Sequence, residues 1–160
     1  TNNHQYRIKL TKLNELKFIS HLDWQNLILK TLRRTGCELA LTEGFSPTPK
    51  ITFSPALPLF IESECELINF TCLSPLNDNF KENFEKNTNK NIKIINIYKY
   101  PLTDRKLESL DILTQWAKYE AKVFNSKKDV CDFLSVLHSQ RYLPFYLIEY
   151  HPYTIKKYKN

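Results

Sequence analysis

The chain has 160 residues, 42% of them hydrophobic and 13% aromatic, and a formal net charge of +6 from 23 basic and 17 acidic side chains. That length and apolar content suit one folded domain or two small units and exclude a disordered or collagen-like chain. The positive balance favours a polyanionic partner, nucleic acid before membrane, and no run nears the roughly 20 apolar residues of a spanning helix.

Residues 6–13 alternate, with Tyr6, Ile8 and Leu10 on one side and Arg7, Lys9 and Thr11 on the other, as in a half-buried strand. Ser20 is a good helix N-cap, with Asp23 three residues on. Trp24, Leu27, Ile28, Thr31 and Leu32 then recur at helical spacing. Lys30, Arg33 and Arg34 crowd the last turns, where cations complement the dipole, and Gly36 is the expected residue just past the end. Residues 37–41 read as a short strand and Glu43-Gly44 as a turn. Pro47 and Pro49 enforce an extended path after it. Residues 50–54 read as a strand closed by Pro55 and Pro58. Residues 62–73 predict another strand, with Cys65, Leu67 and the run Ile68 to Phe70 inward and an acidic face of Glu62, Glu64 and Glu66.

Leu76, Phe80 and Phe84 predict a second helix over 76–86, and residues 92–100 a further strand. Residues 1–100 thus follow the β-α-β-β-α-β order of a ferredoxin-like α+β fold. Residues 101–109 read as a linker. Residues 110–160 read as a smaller β-α-β unit: a strand over 116–124, a helix over 127–139, a strand over 142–151 and a basic tail over 154–160.

Cys37, Cys65, Cys72 and Cys131 show neither zinc nor iron–sulfur spacing. The expectation is four separate reduced thiols in a cytoplasmic setting, with no metal and no cofactor. The chain opens on Thr1 and contains no methionine, which reads as a processed or excised piece of a longer protein.

Two isolated glycines do not build a phosphate cradle, and no hydrolase or zinc-protease motif is present. His21, beside Asp23 at the helix start, is the one candidate for acid–base chemistry, weighed against a role in supporting that helix start. The candidate nucleic-acid contacts are Lys30, Arg33, Arg34 and Lys50, extended by Arg7, Lys9 and Lys12, with Phe45 and Phe53 to stack bases. Glu43, Gly44, Phe45, Pro47 and Pro49 make a stiff surface turn, either a binding element or a rigid crossover.

The ordered series Phe18-Ile19-Ser20-His21-Leu22-Asp23, Leu32-Arg33-Arg34-Thr35-Gly36, Glu43-Gly44-Phe45-Ser46-Pro47-Thr48-Pro49-Lys50-Ile51 and Phe53-Ser54-Pro55-Ala56-Leu57-Pro58-Leu59 resembles a bacterial radical-SAM-linked domain of unknown function. The likeness covers about residues 6–70. It implies an accessory unit, fused or adjacent to a cobalamin-binding-type radical SAM protein, that presents RNA for modification or maturation and holds no cofactor of its own. The sequence departs from that family at Phe60, where glycine is usual, and near Thr48, Leu67 and Asn69. More distantly, the layout is similar to the ferredoxin-like RAMP proteins of CRISPR RNA processing, which implies His21 as a candidate for metal-independent RNA cleavage. A protein-binding adaptor of the radical SAM subunit is the third expectation.

Overall fold

Alternation along the first strand decides which way the sheet faces. In β1 (His4–Lys12) Tyr6, Ile8 and Leu10 are buried, while Gln5, Arg7 and Lys9 sit half-buried on the reverse side. The computed structural model of the protein describes residues 3–101, Leu110, 119–122, 147–151 and 154–158. The chain divides into two compact units, Thr1–Leu113 and Thr114–Asn160.

In the first unit β1 pairs antiparallel with β3 (Ser63–Cys72) and with β4 (Ile94–Tyr100), and β3 pairs with β2 (Ile51–Phe53). The sheet order is therefore β2-β3-β1-β4. With α1 (His21–Arg34) after β1 and α2 (Phe80–Lys86) after β3, this is a small ferredoxin-like α+β arrangement, as the element pattern predicts. Trp24, Ile28 and Leu32 of α1 and Phe80 and Phe84 of α2 join Tyr6, Ile8, Leu10, Ile68 and Phe70 in one core. Both helices thus cover one face of the sheet.

Helix α1 begins and ends where its sequence dictates. Ser20 caps it by accepting from the Asp23 backbone N–H at 3.1 Å, and the Ser20 hydroxyl donates to the Asp23 carboxylate at 2.7 Å. At the far end Gly36 takes φ +79°, a left-handed conformation that side chains resist. Helix α2 starts later than predicted, at Phe80, because residues 73–79 form bends and turns while the Leu76 N–H donates to the Tyr6 hydroxyl at 3.1 Å.

The facing of the first half of β3 is opposite to the predicted one, while Ile68 and Phe70 are inward as expected. Glu66, Ile68, Phe70 and Cys72 point into the core, while Cys65 is exposed and Leu67 half-buried. Two parities compete along this strand. The larger set, Ile68, Phe70 and Cys72, wins, and a one-residue change of register turns every side chain over. The cost is that Glu66 is carried inside, to 5% exposure. Its counterpart is Lys12, also expected at the surface, which is only 2% exposed and lies 5.5 Å from the centre of the Trp24 ring.

Two further expectations need correction. Residues 37–41 do not make a regular strand; they contribute only single bridges, Leu39 to Cys72 and Leu41 to Pro49. Those bridges bring the exit of α1 alongside the end of β3, so Cys37 and Cys72 are joined as a disulfide instead of standing apart as thiols. Cys65 is free and exposed, and Cys131 lies outside the described residues.

In the second unit β5 (Tyr119–Lys122), β6 (Leu147–His151) and β7 (Thr154–Tyr158) form an antiparallel sheet in the order β5-β7-β6. The predicted strands over 116–124 and 142–151 are represented by β5 and β6. The basic tail supplies a third strand, β7, beyond the predicted β-α-β. The predicted helix over 127–139 and nearly all of the 101–109 linker lie outside the described residues.

Candidate nucleic-acid interface

The last turns of α1 and the segment that follows hold the predicted contacts. Lys30, Arg33 and Arg34 are all exposed, because the buried stripe of the helix runs through Trp24, Ile28, Thr31 and Leu32 on its other side. After Gly36 the chain folds into a narrow hairpin. The Lys50 N–H donates to the Ala40 carbonyl at 2.7 Å and the Thr42 N–H to the Thr48 carbonyl at 2.8 Å. The Thr42 hydroxyl also accepts from the Thr48 N–H at 3.0 Å, which closes the base of the loop.

The tip, Glu43, Gly44, Phe45, Ser46 and Pro47, is solvent-exposed throughout. Gly44 has φ +128°, which makes it the position where only glycine bends without strain. Phe45, directly after it, is fully exposed, buried against nothing. Pro49 is held in the bridge to Leu41, and Lys50 beside it is exposed. A proline-stiffened loop that projects a bare aromatic ring, with a lysine at its base, has the chemistry of a base-stacking element.

The structure does not join every predicted contact to this surface. Lys12 is buried, and Phe53 packs half-buried against the core with its ring 6.3 Å from that of His21. Arg7 and Lys9 lie on the sheet face opposite α1, as the strand alternation requires.

His21 sits at the first turn of α1. At 1.5 Å per residue that is about 18 Å along the axis from Arg33. Gln25 Nε2 donates to His21 Nε2 at 3.0 Å. The Asp23 carboxylate is engaged by Ser20, so the expected His–Asp partnership is replaced by a helix cap. The position supports the helix-start role and separates His21 from the cationic end.

The His21 end of the unit, by contrast, carries an apolar patch that the sequence did not announce. Phe18, Leu22, Leu59 and Phe60 are all exposed, and the Phe18 and Phe60 rings meet edge-on at 5.7 Å. Phe60 has φ +70°, unusual for a bulky residue, and its N–H donates to the Lys17 carbonyl at 2.8 Å. Glycine adopts that conformation at little cost. Phe60→Gly is therefore expected to raise stability by about 1 kcal/mol in urea unfolding, although it removes a large ring. A loss of stability would mean that the Phe18–Phe60 contact outweighs the backbone strain.

Burial shifts two charges in the interior. Desolvation pushes the Glu66 carboxyl above its ordinary range, offset in part by the Ser63 and Ser54 hydroxyls and by Lys12. Desolvation also holds the Lys12 ammonium below its ordinary value, offset in part by Glu66.

A recess lined by Gly36, Cys37, Pro75, Leu76 and Phe80, among others, holds about 40 Å³. Small-molecule sites run to roughly 300–1,000 Å³, so it suits a water molecule rather than a nucleotide. Among the described residues no cluster of three or more His, Cys, Asp or Glu is placed to hold a metal ion, and no helix is long and apolar enough to cross a membrane.

A family model described as an uncharacterized protein conserved in bacteria, DUF2344, matches residues 5–141. No curated protein matches the sequence.

Proposed function

The chain belongs to the bacterial DUF2344 family, and for it we propose a non-catalytic RNA-binding role, as an accessory unit that presents RNA to a radical SAM partner. The observation that carries this reading is the bare Phe45 ring at the tip of a rigid hairpin, with exposed Lys50 at its base and exposed Lys30, Arg33 and Arg34 on the helix that leads into it. Folding gains nothing from an aromatic side chain left fully in water, whereas a nucleobase stacked on it buries both faces of the contact. The radical SAM partner is inferred from the ordered motif likeness over residues 6–70. A cytoplasmic location goes with that inferred partnership, and in that compartment the Cys37–Cys72 pair would be held reduced.

Filter binding with single-stranded RNA tests it. The double variant Arg33→Ala, Arg34→Ala is expected to weaken binding and to reduce the dependence of log K on log salt by about 1.4, the share of two phosphate contacts on a single strand. An unchanged affinity and slope would remove the α1 end from the interface.

A protein-adaptor reading has one observation of its own, the exposed Phe18, Leu22, Leu59 and Phe60 patch. Co-purification with the radical SAM subunit, lost in Phe18→Ser with Phe60→Gly and with no RNA in the sample, would favour that reading.

A further inference from the structure

The face of the four-stranded sheet that carries no core is not a plain solvated surface. Neighbouring positions on β1 and β4 pair Gln5 with Tyr100, Arg7 with Tyr98 and Lys9 with Asn96, so one side of this strand pair presents two cations, two phenol rings and two amides. The Arg7 guanidinium stands 5.0 Å from the centre of the Tyr100 ring, and its Nε donates to Asn69 Oδ1 on β3 at 2.7 Å. Tyr98 is 45% exposed, and its hydroxyl accepts from the Asn96 amide at 2.8 Å. The arginine and the two tyrosines are thus held by neighbours and not left to wander, which lowers the entropy lost when something stacks on them.

Two polar atoms on this face have no hydrogen-bond partner among the described residues: the buried Nδ2 of Asn69 and the buried Oε1 of Gln5. A buried polar atom without a partner is unfavourable, so each of these two is a place where a water or a ligand group would be stabilising. Both lie within the Arg7 and Tyr100 neighbourhood by register, Gln5 opposite Tyr100 and Asn69 opposite Arg7.

We propose that this sheet face, centred on Arg7, Lys9, Tyr98 and Tyr100, is a second binding site, for unpaired nucleotides of single-stranded RNA. The proposal rests on the RNA-binding reading and narrows its substrate to a strand with splayed bases. Bases stack on the Tyr98 and Tyr100 rings, while Arg7 and Lys9 neutralise the phosphates between them. Duplex RNA, whose bases are already stacked on one another, gains nothing from the two rings. Single-stranded RNA is the occupant this face fits, because its paired positions set two cations among two stackable rings and include no carboxylate.

The test uses the full chain with a short fluorescein-labelled oligouridylate and, in parallel, a fully paired RNA duplex. Tyr98→Ala and Tyr100→Ala are each expected to weaken oligouridylate binding roughly ten-fold and to leave duplex binding unchanged, while the phenylalanine variants retain the affinity. In the unaltered protein, oligouridylate carrying 5-iodouridine is expected to crosslink to the peptide that contains Tyr98 and Tyr100. This readout does not depend on any variant folding. If Arg33→Ala with Arg34→Ala weakens binding while the tyrosine variants bind like the parent and the crosslinks map elsewhere, the sheet-face site is wrong and the RNA-binding reading stands. If the parent binds neither RNA, both are wrong.

Discussion

Glu66→Gln is expected to destabilise the first unit by roughly 1–3 kcal/mol, because it removes the carboxylate that offsets the burial of the Lys12 ammonium. Lys12 is 2% exposed and Glu66 5%, and each shifts the other's titration against the effect of burial. The two single losses should be unequal. Lys12→Met leaves a carboxyl that already holds its proton more tightly than in water, so protonation relieves it and the cost at mildly acidic pH is smaller. Replacing both, as Lys12→Met with Glu66→Leu, is expected to return stability close to that of the parent.

The pH dependence follows with definite sign. The folded state binds the Glu66 proton more tightly than the unfolded state does. Stability therefore falls as pH rises from the ordinary carboxyl value of 4.5 up to the raised one. The folded state binds the Lys12 proton less tightly, so stability rises with pH from the lowered value up to 10.5. Urea midpoints of the four proteins across pH check both statements. A Glu66→Gln variant as stable as the parent would mean that the two charges do not depend on each other.

Reducing the Cys37–Cys72 bond is the other large effect. The bond closes a loop with a sequence separation of 35, and the chain-entropy estimate for such a loop is roughly 3–4 kcal/mol at room temperature. The same loss is expected for Cys37→Ser without reductant. In denatured, non-reduced protein, alkylation should modify Cys65 and spare Cys37 and Cys72, which are modified only after reduction. Labelled Cys37 and Cys72 before reduction, with no change in the unfolding midpoint on adding reductant, would show that the bond does not form.

The parts of the fold set by local chemistry were readable from the chain. Ser20, the stripe from Trp24 to Leu32 and Gly36 give α1 its start, buried face and end without reference to anything distant. The element order then implies the sheet order, because a β-α-β-β-α-β chain has few ways to pair its strands. What failed depended on partners far along the chain. The facing of β3 was decided by a contest between two alternations that only the core resolves. Lys12 followed from it, since a buried Glu66 makes an inward lysine on the neighbouring strand tolerable. The Cys37–Cys72 bond needed the bridge from Leu39 to β3, which carries no sequence signal.

The candidate surface divides in the same way. Lys30, Arg33, Arg34, Phe45 and Lys50 were legible because a helix stripe and a proline-rich turn place them outside by local rules. Tyr98 and Tyr100 were not singled out, although their two-residue spacing puts them on one face of β4. Only the pairing of β4 with β1 sets them beside Arg7 and shows the group as one surface.

The salt dependence of single-stranded RNA affinity tests the central claim most directly. If Lys30, Arg33, Arg34 and Lys50 meet phosphates, log K should fall against log salt with a slope of about −3, and about −4 if Arg7 and Lys9 join them. No measurable affinity at low salt, or a slope near zero, would contradict the account.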